Sequence, residues 1–193
     1  MLQRKLYQYL LDWKNNQHKV ALCISGARQV GKTTLVRYFA QNNYSVFVEL
    51  NFALHPEQKL IFEDDLSVSS IISKLSSYCG KELVKGDTLI FLDEIQDCPN
   101  ARLAIKTLVE DGKYDYIESG SLLGVKTREV PSLPVGFEDH VTMYPLDLEE
   151  YAQALGVDKS IIDRLEKHFI ECTPVDNVLQ RSFFKIFYSY LVV

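Results

Sequence analysis

The stretch GARQVGKT, from Gly26 to Thr33, sets two glycines five positions apart and follows the second at once with Lys and Thr. This is G-x-x-x-x-G-K-[ST], the spacing of a loop that wraps phosphate. Its glycines let the backbone curl until N–H groups point inward at phosphate oxygens, and a helix starting there adds the positive end of its dipole. The residues expected to line the loop are Gly26, Ala27, Arg28, Gln29, Val30, Gly31, Lys32, Thr33 and Thr34. Lys32 would reach the terminal phosphates of a nucleotide, and the Thr33 hydroxyl would ligate Mg²⁺.

Such a loop requires a carboxylate on a neighbouring strand for the metal shell, and LIFLDE supplies one. Asp93 ends the apolar run and would sit beside the metal. Glu94, one residue on, would orient and deprotonate an attacking water. A third element is ESGS, where Ser119, with Ser121 next, offers a hydroxyl at a strand end near the γ-phosphate.

These side chains need a strand–loop–helix frame. KVALCIS, YSVFVELNF, TLIFLDE, YDYIESG and HVTMYPL are short apolar runs that predict five strands. Between them, Leu35, Val36 and Phe39 share one helical face, and Val68, Ile71, Ile72 and Leu75 share another, with Gly80 as its stop. ARLAIKTLVEDG predicts a helix after Pro99, and Leu2, Leu6, Leu10, Leu11 and Trp13 predict one at the start. Alternation over residues 20–145 predicts a parallel sheet with helices on both faces. From Asp147 the pattern turns helical, in DLEEYAQALG, SIIDRLEKHF and a last helix from about Asp176. Asp147 and Glu150 have capping-box spacing. Phe183, Ile186, Phe187 and Tyr190 read as one buried helical face, a core or partner surface rather than a base-stacking platform.

Composition narrows the classes. With 193 residues, 47% hydrophobic and 24% charged, the chain is sized for one domain and the start of a second. Its net charge of -5, without a Lys/Arg run, gives no sign of a bulk electrostatic grip on nucleic acid or an anionic membrane. Cys23, Cys79, Cys98 and Cys172 are scattered, so they read as separate thiols rather than a zinc site or disulfide framework. His18, His55, His140 and His168 show no ligand spacing. The first residues lack a signal-peptide core and SFFKIFYSYLVV is too short and polar to span a bilayer, so the expected setting is cytoplasmic, without membrane.

With these residues in place, the chain resembles the prokaryotic AAA+-type ATPases whose ATPase half precedes a C-terminal domain of unknown function. The resemblance rests on GARQVGKTTL, IFLDEIQDCP, YDYIESGSLLGV, LPVG and MYPLDLEEY, in that order. It implies an α/β P-loop NTPase fold, with a five-stranded parallel sheet in the order 5-1-4-3-2 and a partial helical C-terminal extension. Residues 1–146 would form the ATPase domain and residues 147–193 the start of a lid or C-terminal region. The resemblance matches Lys32 and Thr33 to the nucleotide loop, Asp93 and Glu94 to the metal and water residues, and Ser119 to the sensor position. It implies ATP and Mg²⁺ as cofactors, and adenine as the base. Family members continue into a winged helix and a restriction-endonuclease-like region, so the chain reads as a fragment whose protein or DNA partner is met through the remainder. AAA+-type sites are completed by an arginine from a neighbouring subunit, which implies a homo-oligomer. Arg128 is the leading candidate, and Arg102, Arg181 and Arg28 are further options.

Three functional readings follow. The first is a Mg²⁺-dependent ATPase that drives a conformational change in an attached domain. The second is a nucleotide switch with little turnover, which shares every binding residue with the first. The third, prompted by DEIQD, is a fragment of a superfamily-one helicase motor, although no second motor domain is present. A GTPase is disfavoured because no Asn-Lys-x-Asp guanine reader occurs.

Overall fold

Parallel strands covered on both faces carry unbroken apolar runs, and edge strands alternate. The computed structural model, which describes residues 2–120 and 136–192, follows that rule. Strands β1 (Ala21–Ser25), β2 (Val46–Asn51), β3 (Thr88–Asp93), β4 (Asp115–Gly120) and β5 (Glu138–Thr142) form one sheet in the order β2-β3-β4-β1-β5. All pairings are parallel. Every residue of β3 and β4 is buried, whereas the edge strands β2 and β5 are partly exposed. This is the order 5-1-4-3-2 implied by the resemblance. The fifth strand departs most from its expected limits: it pairs from Glu138, opposite Ala21, and ends at Thr142, whereas HVTMYPL spans residues 140–146.

The helices end where the sequence places their signals. Helix α1 (Lys5–Asn15) buries Leu10 and Trp13. Helix α2 (Lys32–Asn43) grows directly out of the glycine loop and buries Leu35, Val36 and Phe39. Helix α3 (Val68–Cys79) starts at Ser67, whose hydroxyl accepts the Ser70 N–H, and stops at Gly80 in a left-handed conformation. Helix α4 (Pro99–Asp111) has Pro in its first turn and Gly112 as its stop. Ile71 and Leu75 of α3 and Ile105 and Leu108 of α4 join Val48, Leu50, Ile90 and Leu92 in one core. The buried residues of α2, which packs on β3 and β4, lie outside that cluster and cover the other face.

A charged cluster sits within the sheet-and-α4 layer. Arg102 is 1% exposed, Glu118 is fully buried, and Glu138 lies beside them. Arg102 Nη2 donates to Glu138 Oε1 at 2.6 Å, and Nη1 lies 3.5 Å from Glu118 Oε2. Burial, reinforced by the charge of Glu138, pushes the Glu118 carboxyl up to about 8. Arg102 was one of the arginines open to a role in a neighbour's site. Buried and ion-paired within its own domain, it is an internal residue instead.

The chain divides into two compact units, Leu10–Tyr144 and Met1–Tyr9 with Pro145–Val193. The second holds α5 (Leu148–Ala154), α6 (Lys159–Ile170) and α7 (Asn177–Tyr190). The capping box forms as its spacing predicts, with Asp147 accepting the Glu150 N–H and Glu150 accepting the Asp147 N–H. Lys5 joins the same turn: its N–H donates to Glu150 Oε1 at 2.7 Å and its ammonium pairs with Asp147 and Glu149. The aromatic face of α7 differs from expectation. Phe183, Ile186, Phe187 and Tyr190 are half-buried, and Leu179 is the buried residue of that helix. Tyr190 instead packs against Tyr151 and donates its hydroxyl to the Leu146 carbonyl.

Candidate nucleotide site

The carboxyl ends of β1, β3 and β4 meet at one edge of the sheet, and β4 lies between the other two. β1 delivers the glycine loop there. Gly26 has φ +149°, and a Cβ at this position would stand 2.3 Å from the Met143 carbonyl oxygen, so only glycine fits. Gly31, at φ +96°, turns the chain into α2 without a side-chain cap. The first backbone N–H groups of that helix therefore face the loop without helical partners. Ala27, Arg28, Gln29 and Thr34 are exposed, and Val30 is half-buried. Gln29 takes a left-handed backbone, at φ 64°.

Lys32 is buried against the loop, its ammonium donating to the carbonyls of Gly26 and Ala27 at 2.9 Å each. Burial lowers its pKa, and the charges of Glu94 and Asp93 oppose that shift.

β3 delivers Asp93, which is buried and accepts from three side chains: Thr33 Oγ1 at 2.9 Å, Asn51 Nδ2 at 2.9 Å, and Ser119 Oγ. Thr33, Asp93 and Ser119 are thus brought together from three separate elements. The Ser119 hydroxyl is buried and committed to Asp93 rather than projecting outward. Glu94, half-buried, follows in the left-handed region (φ 54°, ψ 49°) and accepts from Gln96 Nε2. A non-glycine residue held there costs on the order of 1 kcal/mol. Arg128 and Ser121 lie outside the described residues. Arg181 is exposed on α7.

Asn51 was not singled out by spacing. It is the register partner of Asp93 across β2 and β3. Its own N–H donates to Gln58 Oε1 at 2.7 Å, and buried Gln58 is held in turn by the Tyr78 hydroxyl at 2.6 Å. A polar residue ending the VFVELN strand was the available signal, but it needed the strand order to acquire meaning.

The donor set tests the expected metal. A threonine hydroxyl and an aspartate carboxylate are hard oxygen ligands of the kind Mg²⁺ takes alongside water and phosphate. The family model described as AAA domain (AAA_14) matches residues 18–152, most of the chain. The chain belongs to the AAA domain family. It therefore carries a domain of the nucleotide-dependent ATPase type, on a five-stranded parallel sheet flanked by helices. Among solved structures, the Aeropyrum pernix Orc1 protein in complex with DNA is similar over 79% of this chain and 47% of its own, at 15% identity and TM-score 0.51. C. elegans PCH-2 is similar over 90% of this chain and 48% of its own, at 16% identity and TM-score 0.46. The chain spans about half the length of these solved chains. No curated protein matches.

Proposed function

We propose that this AAA domain binds ATP with Mg²⁺ and hydrolyses it to drive a conformational change in an attached domain. The observation that carries the reading is the convergence of Thr33, Asn51 and Ser119 on Asp93 at the mouth of the glycine loop. Thr33 and Asp93 would hold the Mg²⁺, which when bound neutralises charge on the β- and γ-phosphate oxygens. Loop N–H groups would cradle the phosphates, and Lys32 would leave the Gly26 and Ala27 carbonyls to meet the terminal ones. Glu94 accepts a proton from the water that attacks the γ-phosphorus; ADP leaves and inorganic phosphate is formed. Ser119 acts here as a positioning residue through Asp93. Adenine as the base, a cytoplasmic setting and a homo-oligomer sharing an arginine are part of the same proposal. Arg128 is the arginine proposed to be shared. A protein or DNA partner would be engaged by the attached domain. Support for the ATPase reading is family membership together with the site geometry.

The test is Mg²⁺-ATP turnover in the wild type, Lys32→Ala and Glu94→Gln. Turnover lost in both variants, with ATP binding retained in Glu94→Gln, is the expected pattern. Glu94→Gln turning over at the wild-type rate would remove Glu94 from its role. Bound ATP that stays intact in the wild type would favour the switch.

A further inference from the structure

On the face of the sheet covered by α4, strand pairing assembles a donor set that no spacing in the chain announces. Cys23 in β1 is the register partner of His140 in β5. Glu138, two residues before His140, projects from the same face because strand side chains alternate. One ligand atom from each of Cys23, Glu138 and His140 lies within 4.8 Å of the other two. Tetrahedral bonds of about 2.3 Å to sulfur and about 2.0–2.2 Å to nitrogen and oxygen separate ligand atoms by roughly 3.3–3.7 Å. A modest rotation of side chains closes the set on one ion.

The second observation is the state of Glu138, whose side chain is 4% exposed. Its Oε1 receives Arg102 Nη2, and His140 Nε2 lies 2.6 Å from the same oxygen. Its Oε2 is buried without a hydrogen-bond partner, as are both oxygens of Glu118. Arg102 faces two buried carboxylates, and beside these oxygens its own Nε and Nη1 are also buried without hydrogen-bond partners. Buried oxygens without partners are costly, and a cation is one way of satisfying them.

We propose that Cys23, Glu138 and His140 form a site for a divalent transition-metal ion of the zinc class, separate from the nucleotide loop. Thiolate, imidazole and carboxylate together select such an ion over Mg²⁺. His140 is 57% exposed, which leaves the fourth position open to water. Arg102 keeps Glu138 Oε1 and acts as the outer donor that orients the carboxylate. On binding, the Cys23 thiol releases its proton to solvent and a sulfur–metal bond replaces the S–H bond, so affinity rises with pH. The role is structural. The ion fastens edge strand β5 to β1, just before Met143, whose N–H donates to Ser25 at 2.8 Å and whose carbonyl packs on Gly26.

Cobalt titration of the whole chain tests the site, in a Cys79→Ser, Cys172→Ser background that removes the two less buried thiols. A single equivalent of Co²⁺ should develop a thiolate charge-transfer band and tetrahedral visible bands, and Zn²⁺ should displace them. Cys23→Ser should abolish the charge-transfer band, and Lys32→Ala should keep it. His140→Ala, a change at an exposed edge position that leaves the core intact, should weaken affinity more than about tenfold. No thiolate band in the background protein, or unchanged affinity in His140→Ala, would overturn the proposal.

Discussion

Asp93 accepts from Thr33, Asn51 and Ser119, so each donor helps to hold it at the loop. Asn51→Ala removes one donor to Asp93 and the Oδ1 acceptor of the Leu54 N–H, while the backbone N–H bonded to Gln58 stays in place. The expected cost is about 1 kcal/mol of stability. A fall in kcat larger than any rise in KM, read from steady-state ATPase kinetics, would mark a positioning effect on Asp93. Gly26→Ala should be harsher, because its Cβ meets backbone oxygen at 2.3 Å. A loss of at least about 2 kcal/mol in urea unfolding, with nucleotide binding abolished, is expected. Glu94→Gly separates strain from chemistry: it relaxes the left-handed backbone at φ 54° while deleting the carboxylate. A melting temperature no lower than wild type with no turnover is the expected pair of results.

At the scale of elements, two polar devices fix how helices begin and where they lie. The Asp147–Glu150 box starts α5, and Asp147→Ala should cost about 1 kcal/mol. The Asp147 carboxyl loses by burial, but hydrogen bonds from the Glu150 N–H and from Lys5 outweigh that loss and hold it below the ordinary aspartate range. Its contribution is present above that range and disappears as pH falls through the lowered value. The gap in melting temperature between wild type and Asp147→Ala should therefore close in acid. Arg102 fixes α4 against β4 and β5. Arg102→Met leaves Glu118 and Glu138 buried without their guanidinium, and chemical denaturation should show a loss of about 3 kcal/mol.

For the whole molecule, the open question is whether one chain makes a complete site. A neighbour's arginine contributes on the order of 10³–10⁵ in rate where it completes related phosphoryl-transfer sites. With Arg102 internal, Arg128 is the arginine proposed for that role. Turnover per chain should then rise with protein concentration and fall back when Arg128→Ala is mixed in. A rate per chain that stays constant over a wide concentration range would mean that each chain is complete alone. Among the described residues no helix is long and apolar enough to cross a membrane.

By itself the sequence determined the phosphate loop, the strand that delivers Asp93 with Glu94 next, the helix stop at Gly80, and the Asp147 capping box. These depend on residues close together in the chain, where backbone geometry and local hydrogen bonds suffice to write the pattern. Sheet order was reached only through the resemblance, since apolar runs identify strands without saying which are neighbours. Tertiary structure decided the rest. It set Asn51 opposite Asp93, turned the Ser119 hydroxyl onto that carboxylate, and buried Arg102 between two glutamates. It also brought Cys23 beside Glu138 and His140, more than half the chain away. Those encounters follow from register between distant strands, and register is set by how the sheet buries its two faces, a property of the assembled sheet rather than of any segment.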